Sequence, residues 1–555
     1  MQAIQFYLIL GLICLCGAGV QAQVVELAPP PSAYPSVMPP PVDAGALNNQ
    51  ESAEELMVGG DAEYLTLADV IASVLSSFPK VQKARLQRSE RQGEQVSAMG
   101  AFDTKLEGFT VSEPTGFYRN FRHGLGVSRR TWWGGYLAAG YRLGRGDFQP
   151  WYKERETNEG GEFKVALGVP LLQGRAIDPR RVAVFQASLG RQAVEPQIQR
   201  EILISALEAS AYYWKWVAEG NKLQIQRALV ELAAKRQKQF QAGQEAGRFA
   251  KVDVFLNNQL LAERRNKMLE VEQKFRQAGF NLSLYLRDEF GNPRLPPESW
   301  LPEHFPRTYQ LEPLDLDSEM ALAASRRPEI NLLQLSLQSQ QIDQRLARNQ
   351  LLPTIDLYTE GSQDVGIPAS SSNDKGQFQL AAGLQGSLPI QRRKARGKIQ
   401  STASKIAQIN QELRLQRNKI GVEIQDADNA IRFAAQQLEQ SKQAVEYAIT
   451  TLRSYQYAYN KGYEDLLYLN IVETKAFETE VKLVEAQSDW FFALSQLQAA
   501  LALDPLAEAM EITDLPPADY PGPDDMPKDV DQVPADFEAD WEKHLRRGKA
   551  QSNNN

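Results

Sequence analysis

Apolar and polar positions recur along this chain with two different periods. In FQLAAGLQGSLPI, Phe378, Leu380, Ala382, Leu384 and Leu388 fall on alternate positions, with Gln379, Gln385 and Ser387 among those between. That period predicts a strand with one apolar and one polar face. Immediately afterwards the apolar residues recur in steps of three and four. They run from Ala403 and Ile406 to Tyr455 and Tyr459, interrupted only at Asn410, Arg417 and Ser441. A seven-residue repeat held this long predicts a helix over about 395–460 that packs on a neighbour as in a coiled coil, roughly 100 Å long. Gly462 suits its C-terminal cap, and Leu466, Leu469, Val472, Ala476, Val481 and Val484 predict an antiparallel return helix. An earlier pair is predicted at about 180–242 and 248–287, with Pro196 kinking or splitting its first member.

Further strands are predicted at Phe163 to Leu171, where Phe163, Val165, Leu167 and Val169 alternate with Lys164, Ala166 and Gly168, and at Thr354 to Ser362. Thr104 to Val111 is the expected partner of the first of these; HGLGVSR and YLAAGYRL lie between them. Their lengths and alternation fit a membrane β-barrel, or else a small sheet packed on helices.

The plan is duplicated. A shift of 249 carries Pro79 in SSFPKVQKARLQ onto Pro328 in SRRPEINLLQLS; a shift of 219 carries Pro170 onto Pro389 and Gly243 onto Gly462. The resulting division is 1–22 as a signal peptide, 23–62 as a Pro-rich extension, 63–306 and 307–504 as two repeats, and 505–555 as a Pro/Asp-rich tail in which a short helix at 533–546 is possible. The first repeat carries some thirty extra residues before Pro170.

The termini and composition sharpen this picture. Phe6 to Val20 is apolar but short for a bilayer span, and Val20-Gln21-Ala22 suits signal cleavage, although no Lys or Arg precedes the run. Both cysteines, Cys14 and Cys16, fall inside it, so a mature chain would have no disulfide or thiol chemistry. A formal charge of −8, without a basic patch interleaved with aromatics, argues against nucleic acid as a partner. His123, His304 and His544 are isolated, no metal-protease or phosphate-loop motif is present, and neither an enzyme nor a cofactor is expected. The basic runs Arg175, Arg180, Arg181 and Arg392, Arg393, Lys394, Arg396 read as solvated helix starts, and Trp132, Trp133 and Trp151 lie where aromatics mark a membrane interface.

No later stretch reaches a membrane helix's length, so any membrane contact falls to the strands. Four to six of them cannot close in lipid within one chain, which makes closure a matter of oligomerisation. A periplasmic coiled-coil scaffold with a non-membrane sheet is the alternative.

The duplicated plan, the Pro79-Lys80-Val81 and Pro328-Glu329-Ile330 openings, Leu352 to Leu357 (LPTIDL) entering a strand, and GRFAKVDVFLNNQLL from Gly247 together resemble the TolC family of outer-membrane efflux proteins over about 63–504. The resemblance implies a mainly α protomer with membrane β-structure. Its homotrimer would close a twelve-stranded barrel, four strands per chain, above a long helical cylinder across the periplasm. It implies a passive exit duct working with a periplasmic adaptor (a membrane fusion protein) and an inner-membrane RND or ABC transporter, either in efflux or in type I secretion. Outer-membrane lipid would meet Phe163, Val165, Leu167, Val169, Phe378, Leu380, Leu384 and Leu388. The gate and adaptor-docking tip would involve Gly247, Asp253, Tyr459, Gly462, Asn470 and Glu473, with a ring of Glu473 carboxylates at the constriction; an ordinary solvated position is the alternative for Glu473, Asp465 and Asp253.

Overall fold

The computed structural model describes residues 64–247, 250–288, 290–368 and 375–518. The signal peptide, the Pro-rich extension, the helix considered at 533–546 and the end of the acidic tail lie outside them. The chain divides into two compact units, one comprising 87–194 and 333–412, the other the remainder of the described residues.

In both repeats the helices open alike. Helices α1 (Leu67–Ser77) and α2 (Pro79–Met99) correspond to α6 (Leu316–Arg326) and α7 (Pro328–Asn349), and both start positions and the first end keep the offset of 249. Proline begins the second helix of each pair because its fixed φ suits a first turn that needs no N–H. Thr66 caps α1: its hydroxyl accepts from the Asp69 N–H at 3.1 Å while the Asp69 carboxylate accepts from the Thr66 N–H at 3.0 Å.

The first unit holds one antiparallel sheet in the order β1 (Thr104–Glu113), β2 (Asn120–Arg130), β3 (Tyr136–Gly146), β4 (Glu162–Pro170), β5 (Thr354–Asp364), β6 (Gln379–Ser387). Six strands stand where the resemblance implies four. The residues between Val111 and Phe163 form two full-length strands, so β1 pairs with β2, and β4 pairs with β3 and β5. Thr104 to Val111 is therefore not the partner of Phe163 to Leu171; the intervening segment pairs with both. Helix α3 (Pro179–Gln192) follows β4. Its N-terminal Arg181 is fully buried, donating to Asp178 and, at 3.1 Å, to the Gly174 carbonyl, so this member of the basic run is an internal brace rather than a solvated residue.

The second unit is built on the long helices. Helix α4 (Val194–Glu245) begins after a break at Ala193, leaving Pro196 in its first turn, where a missing N–H costs little. Helix α5 (Lys251–Ser283) returns from it, and α8 (Arg393–Asn460) pairs likewise with α9 (Leu466–Ala500). Along α8 the predicted stripe is buried at Leu413, Ile420, Ile424, Ala427, Ile431, Ala434, Leu438, Val445 and Leu452, while Ala403, Asn410 and Arg417 are exposed. Near 449 the stripe slips by one residue, since 3.6 residues per turn drifts against a strict seven. An aromatic stack of Trp214, Phe305 and Phe491, with centroids 4.3–6.1 Å apart, ties α4 and α9 to the segment before α6. Helix α10 (Pro505–Thr513) buries Ala509 and Ile512 against this unit and packs on α1, so the Pro/Asp-rich tail starts later than residue 505.

Candidate functional site

The sheet register sorts the strand residues onto two faces. Cross-strand partners share a face, so Leu106↔Val127↔Ala139↔Val165↔Gly361↔Leu380 and Leu137↔Leu167↔Thr359↔Ala382 trace one side across the sheet. Phe163, Val169, Leu357 and Leu384 fall on the same side by parity, and Phe378 and Leu388 extend β6 at that parity just beyond its ends. Val165, Phe163, Leu380 and Leu384 are more than half exposed although they belong to a full sheet. An exposed, continuous apolar band is what a surface facing an apolar medium requires.

The opposite side is charged and internally paired. Arg142 pairs with Glu162, Lys164 with Glu360, and Arg122 approaches Glu113 at 3.6 Å. Aromatic rings on this face lie over glycines of the neighbouring strand: Phe109 over Gly124, Tyr136 over Gly168 and Tyr358 over Gly383. A ring can settle there only because glycine has no Cβ. At one end of the strands, Lys375 donates to the carbonyls of Lys153 (3.2 Å), Glu154 (2.9 Å) and Glu156 (2.7 Å), strapping the β3–β4 loop to the β5–β6 loop. Trp151, in that first loop, is exposed; at the other end Trp132 packs on Phe102 at 5.0 Å and Phe185 at 5.8 Å.

In the second unit the hairpin ends carry the other predicted residues. Gly462 has φ 73°, and the Tyr463 N–H donates to the Ala458 carbonyl at 2.8 Å while the Gly462 N–H donates to Tyr459 at 2.9 Å. This is a Schellman stop, which needs the left-handed residue glycine supplies. Gly247, with φ 70°, is its counterpart. Gly243, aligned with Gly462 by the 219 offset, lies inside α4, so the first repeat runs about one turn further before its stop. Asp253 and Asp465 act at the starts of the return helices: the Asp253 carboxylate accepts from the Ala250 N–H at 3.0 Å and Asp465 from the Tyr468 N–H at 2.8 Å.

Glu473 is neither a solvated helix residue nor open to a lumen within the protomer: it is fully buried. Arg236 of α4 donates through Nη1 to Glu473 Oε2 at 2.9 Å and to Asn470 Oδ1 at 2.7 Å, and through Nη2 to Glu473 Oε1. Arg264 of α5 approaches Oε2 at 3.4 Å. Burial pushes the Arg264 guanidinium below its ordinary value, Glu473 opposes this, and Arg236 adds to it. Burial raises the Tyr459 phenol, with Arg236 opposing and Asp253 and Glu473 reinforcing. The fold thus gathers Tyr459, Asp253, Asn470 and Glu473 into one electrostatic neighbourhood. Arg236 and Arg264 were missed in the sequence, though the signal exists. Arg236 continues the buried series Ile225, Leu229, Ala233, Phe240, and Arg264 lies between Leu261 and Val271 on the inner stripe of α5.

Among the described residues no helix is long and apolar enough to cross a membrane. Residues 320–503 match the family model for outer membrane efflux proteins. Among curated proteins none matches the chain. Solved structures share the fold. A membrane protein from Pseudomonas aeruginosa superposes with a TM-score of 0.57 at 16% identity over 80% of this chain and 94% of its own. The outer membrane protein VceC of Vibrio cholerae gives 0.55 at 15% over 79% and 96%, and the open-state MtrE outer membrane channel of Neisseria gonorrhoeae 0.56 at 14% over 80% and 91%.

Proposed function

From a protein with the TolC-like fold of outer-membrane channels, whose second repeat matches the outer membrane efflux proteins, we propose a passive exit duct of a tripartite efflux or type I secretion system. Three copies close the sheets into one barrel, apolar side to lipid and charged side to water, and their long helices continue the duct through the periplasm. Substrate moves inside it; energy comes from an inner-membrane RND or ABC transporter joined through a periplasmic adaptor. The observation that carries this reading is the two-sided sheet, with an exposed apolar band of Leu106, Val127, Val165 and Leu380 backed by the ion pairs of Arg142 and Lys164. A water-filled lumen suits those charges, and the bilayer suits the band.

The hairpin ends near Gly247 and Gly462 are the proposed gate and adaptor-docking region, with Asp253, Tyr459, Asn470 and Glu473 in the wall behind them. In that role Glu473 acts from inside the helix packing, through Arg236 and Arg264. Membrane fractionation followed by detergent extraction and particle-mass measurement tests the reading. A trimer from the outer-membrane fraction is expected. A soluble periplasmic monomer or dimer would replace the duct with a coiled-coil scaffold.

A further inference from the structure

We infer that the barrel of this protein has eighteen strands, because the β2–β3 hairpin is a full member of its wall and the outer edges of β1 and β6 pair with neighbouring copies of the same chain. The inference rests on the trimeric duct reading and concerns how that duct is built.

The edges come first. The sheet order runs β1 to β6 without a crossover, and among the described residues the far sides of β1 and β6 pair with no strand. Every neighbour pair is antiparallel, so with an even number of strands β1 and β6 point in opposite directions. The β6 edge of one copy can therefore accept the β1 edge of the next in an antiparallel ladder. A head-to-tail ring of copies then closes with no edge left over. Closure is demanded in lipid, where an unpaired backbone edge has no water to bond. The two edges also match in length, at ten and nine residues.

The hairpin comes second. Strands β2 and β3 have eleven residues each, as long as any in the sheet. At about 3.3 Å per residue and a tilt near 40° such a strand rises roughly 28 Å, enough for the apolar band of an outer-membrane barrel. Their faces agree with the rest of the wall: Leu125, Val127, Leu137 and Ala139 lie on the apolar side. Arg122 and Arg142 lie on the charged side, paired with Glu113 on β1 and Glu162 on β4. A hairpin splayed away from the wall would break both pairs. The turn between the strands is anchored where helices meet the sheet, Trp132 resting on Phe102, just before β1, and on Phe185 of α3.

Three such sheets bring eighteen strands. With strands 4.8 Å apart and tilted by about 40°, a barrel of that size has a backbone diameter of about 36 Å, against about 24 Å for twelve strands. The wider barrel would hold a broad aqueous lumen, as porins of 16–18 strands do.

Single-particle imaging of the detergent-extracted oligomer tests this directly. The expected result is a closed ring of eighteen strands in which β1 of one copy lies beside β6 of the next. A twelve-stranded barrel with β2 and β3 outside it would overturn the inference while leaving the duct intact; a particle with no barrel would overturn both. Disulfide trapping in native membranes supplies a second readout. The pairs Leu106→Cys with Val127→Cys and Ala139→Cys with Val165→Cys should cross-link within a protomer. Efficient cross-linking of Leu106→Cys with Leu167→Cys, strands that the present order holds three spacings apart, would count against it.

Discussion

Arg236 and Glu473 stand 237 residues apart in the chain and meet through two guanidinium nitrogens, with Glu473 fully buried and Asn470 accepting from the same arginine. The contact joins the first repeat's hairpin to the second's inside one protomer. A carboxylate at this depth is tolerable only because two guanidiniums face it.

Removing one partner of this cluster should therefore cost far more than removing the whole. Glu473→Ala leaves Arg236 and Arg264 buried without a counter-charge and is expected to destabilise the protein by about 3–5 kcal/mol. The triple replacement Arg236→Met, Arg264→Met, Glu473→Leu should restore most of that loss. Thermal unfolding of the purified oligomer in detergent measures both; equal losses in the single and triple variants would sink the argument.

The two faces of β6 should respond oppositely to a new charge. Leu380→Arg or Leu384→Arg, on the apolar side, should cost about 2–4 kcal/mol if those residues sit near the bilayer midplane, whereas Gln379→Arg or Gln385→Arg should cost little. Urea unfolding of the barrel reconstituted in lipid separates the pairs. Similar behaviour at 380 and 379 would mean that neither face meets lipid.

Two kinds of glycine should be distinguishable. At Gly168 an added methyl overlaps the Tyr136 ring, so Gly168→Ala is an overpacking change expected to cost about 1–3 kcal/mol. At Gly462 nothing lies within 4 Å of the added carbon, and only the positive φ resists, so Gly462→Ala should cost about 1–2 kcal/mol. Gly462→Asn, better tolerated in the left-handed region, should recover part of the second loss; Gly168→Asn should recover none of the first.

Acid should strengthen the packing around α9. Burial raises the Asp489 carboxyl, Glu485 adds to this and Lys222 opposes it; burial likewise raises Glu508, with Glu511 reinforcing. A raised carboxyl binds its proton more tightly folded than unfolded. Its stabilising effect is complete below the unfolded value of about 4 and is lost as pH rises through the folded value. Asp489→Asn should flatten the decline in melting temperature above pH 4; an unchanged slope in the double variant Asp489→Asn, Glu508→Gln would show that other groups set it.

The Lys375 strap predicts a local change without global unfolding. Lys375→Met removes three donations to carbonyls of the β3–β4 loop and should expose the bonds after Lys153 and Arg155. Trypsin added to intact cells should then cut there faster than in the parent, while the melting temperature moves little. Identical cleavage rates would mean that the loop's other contacts, among them its backbone pairing to Val365 and Ile367 and the Asn158 N–H donation to Asp364, hold it without Lys375.

Much of the architecture is local physics and so could be read in the sequence. The seven-residue stripe along α8, the prolines opening α2 and α7, the Schellman glycine at 462 and the alternation of Phe163 to Val169 each depend on neighbours within a few turns or on one strand's two faces. Tertiary structure decided what depends on partners far along the chain. Strand alternation gives a face but no neighbour, so only the sheet reveals that β1 pairs with β2 and that six strands form one surface. A glutamate in a helix reads as solvated until the helices bearing Arg236 and Arg264 close over it, because burial of a charge is set by the whole packing around it. The sequence determined the periods and the stops; long-range contact decided which polar residues the fold would bury.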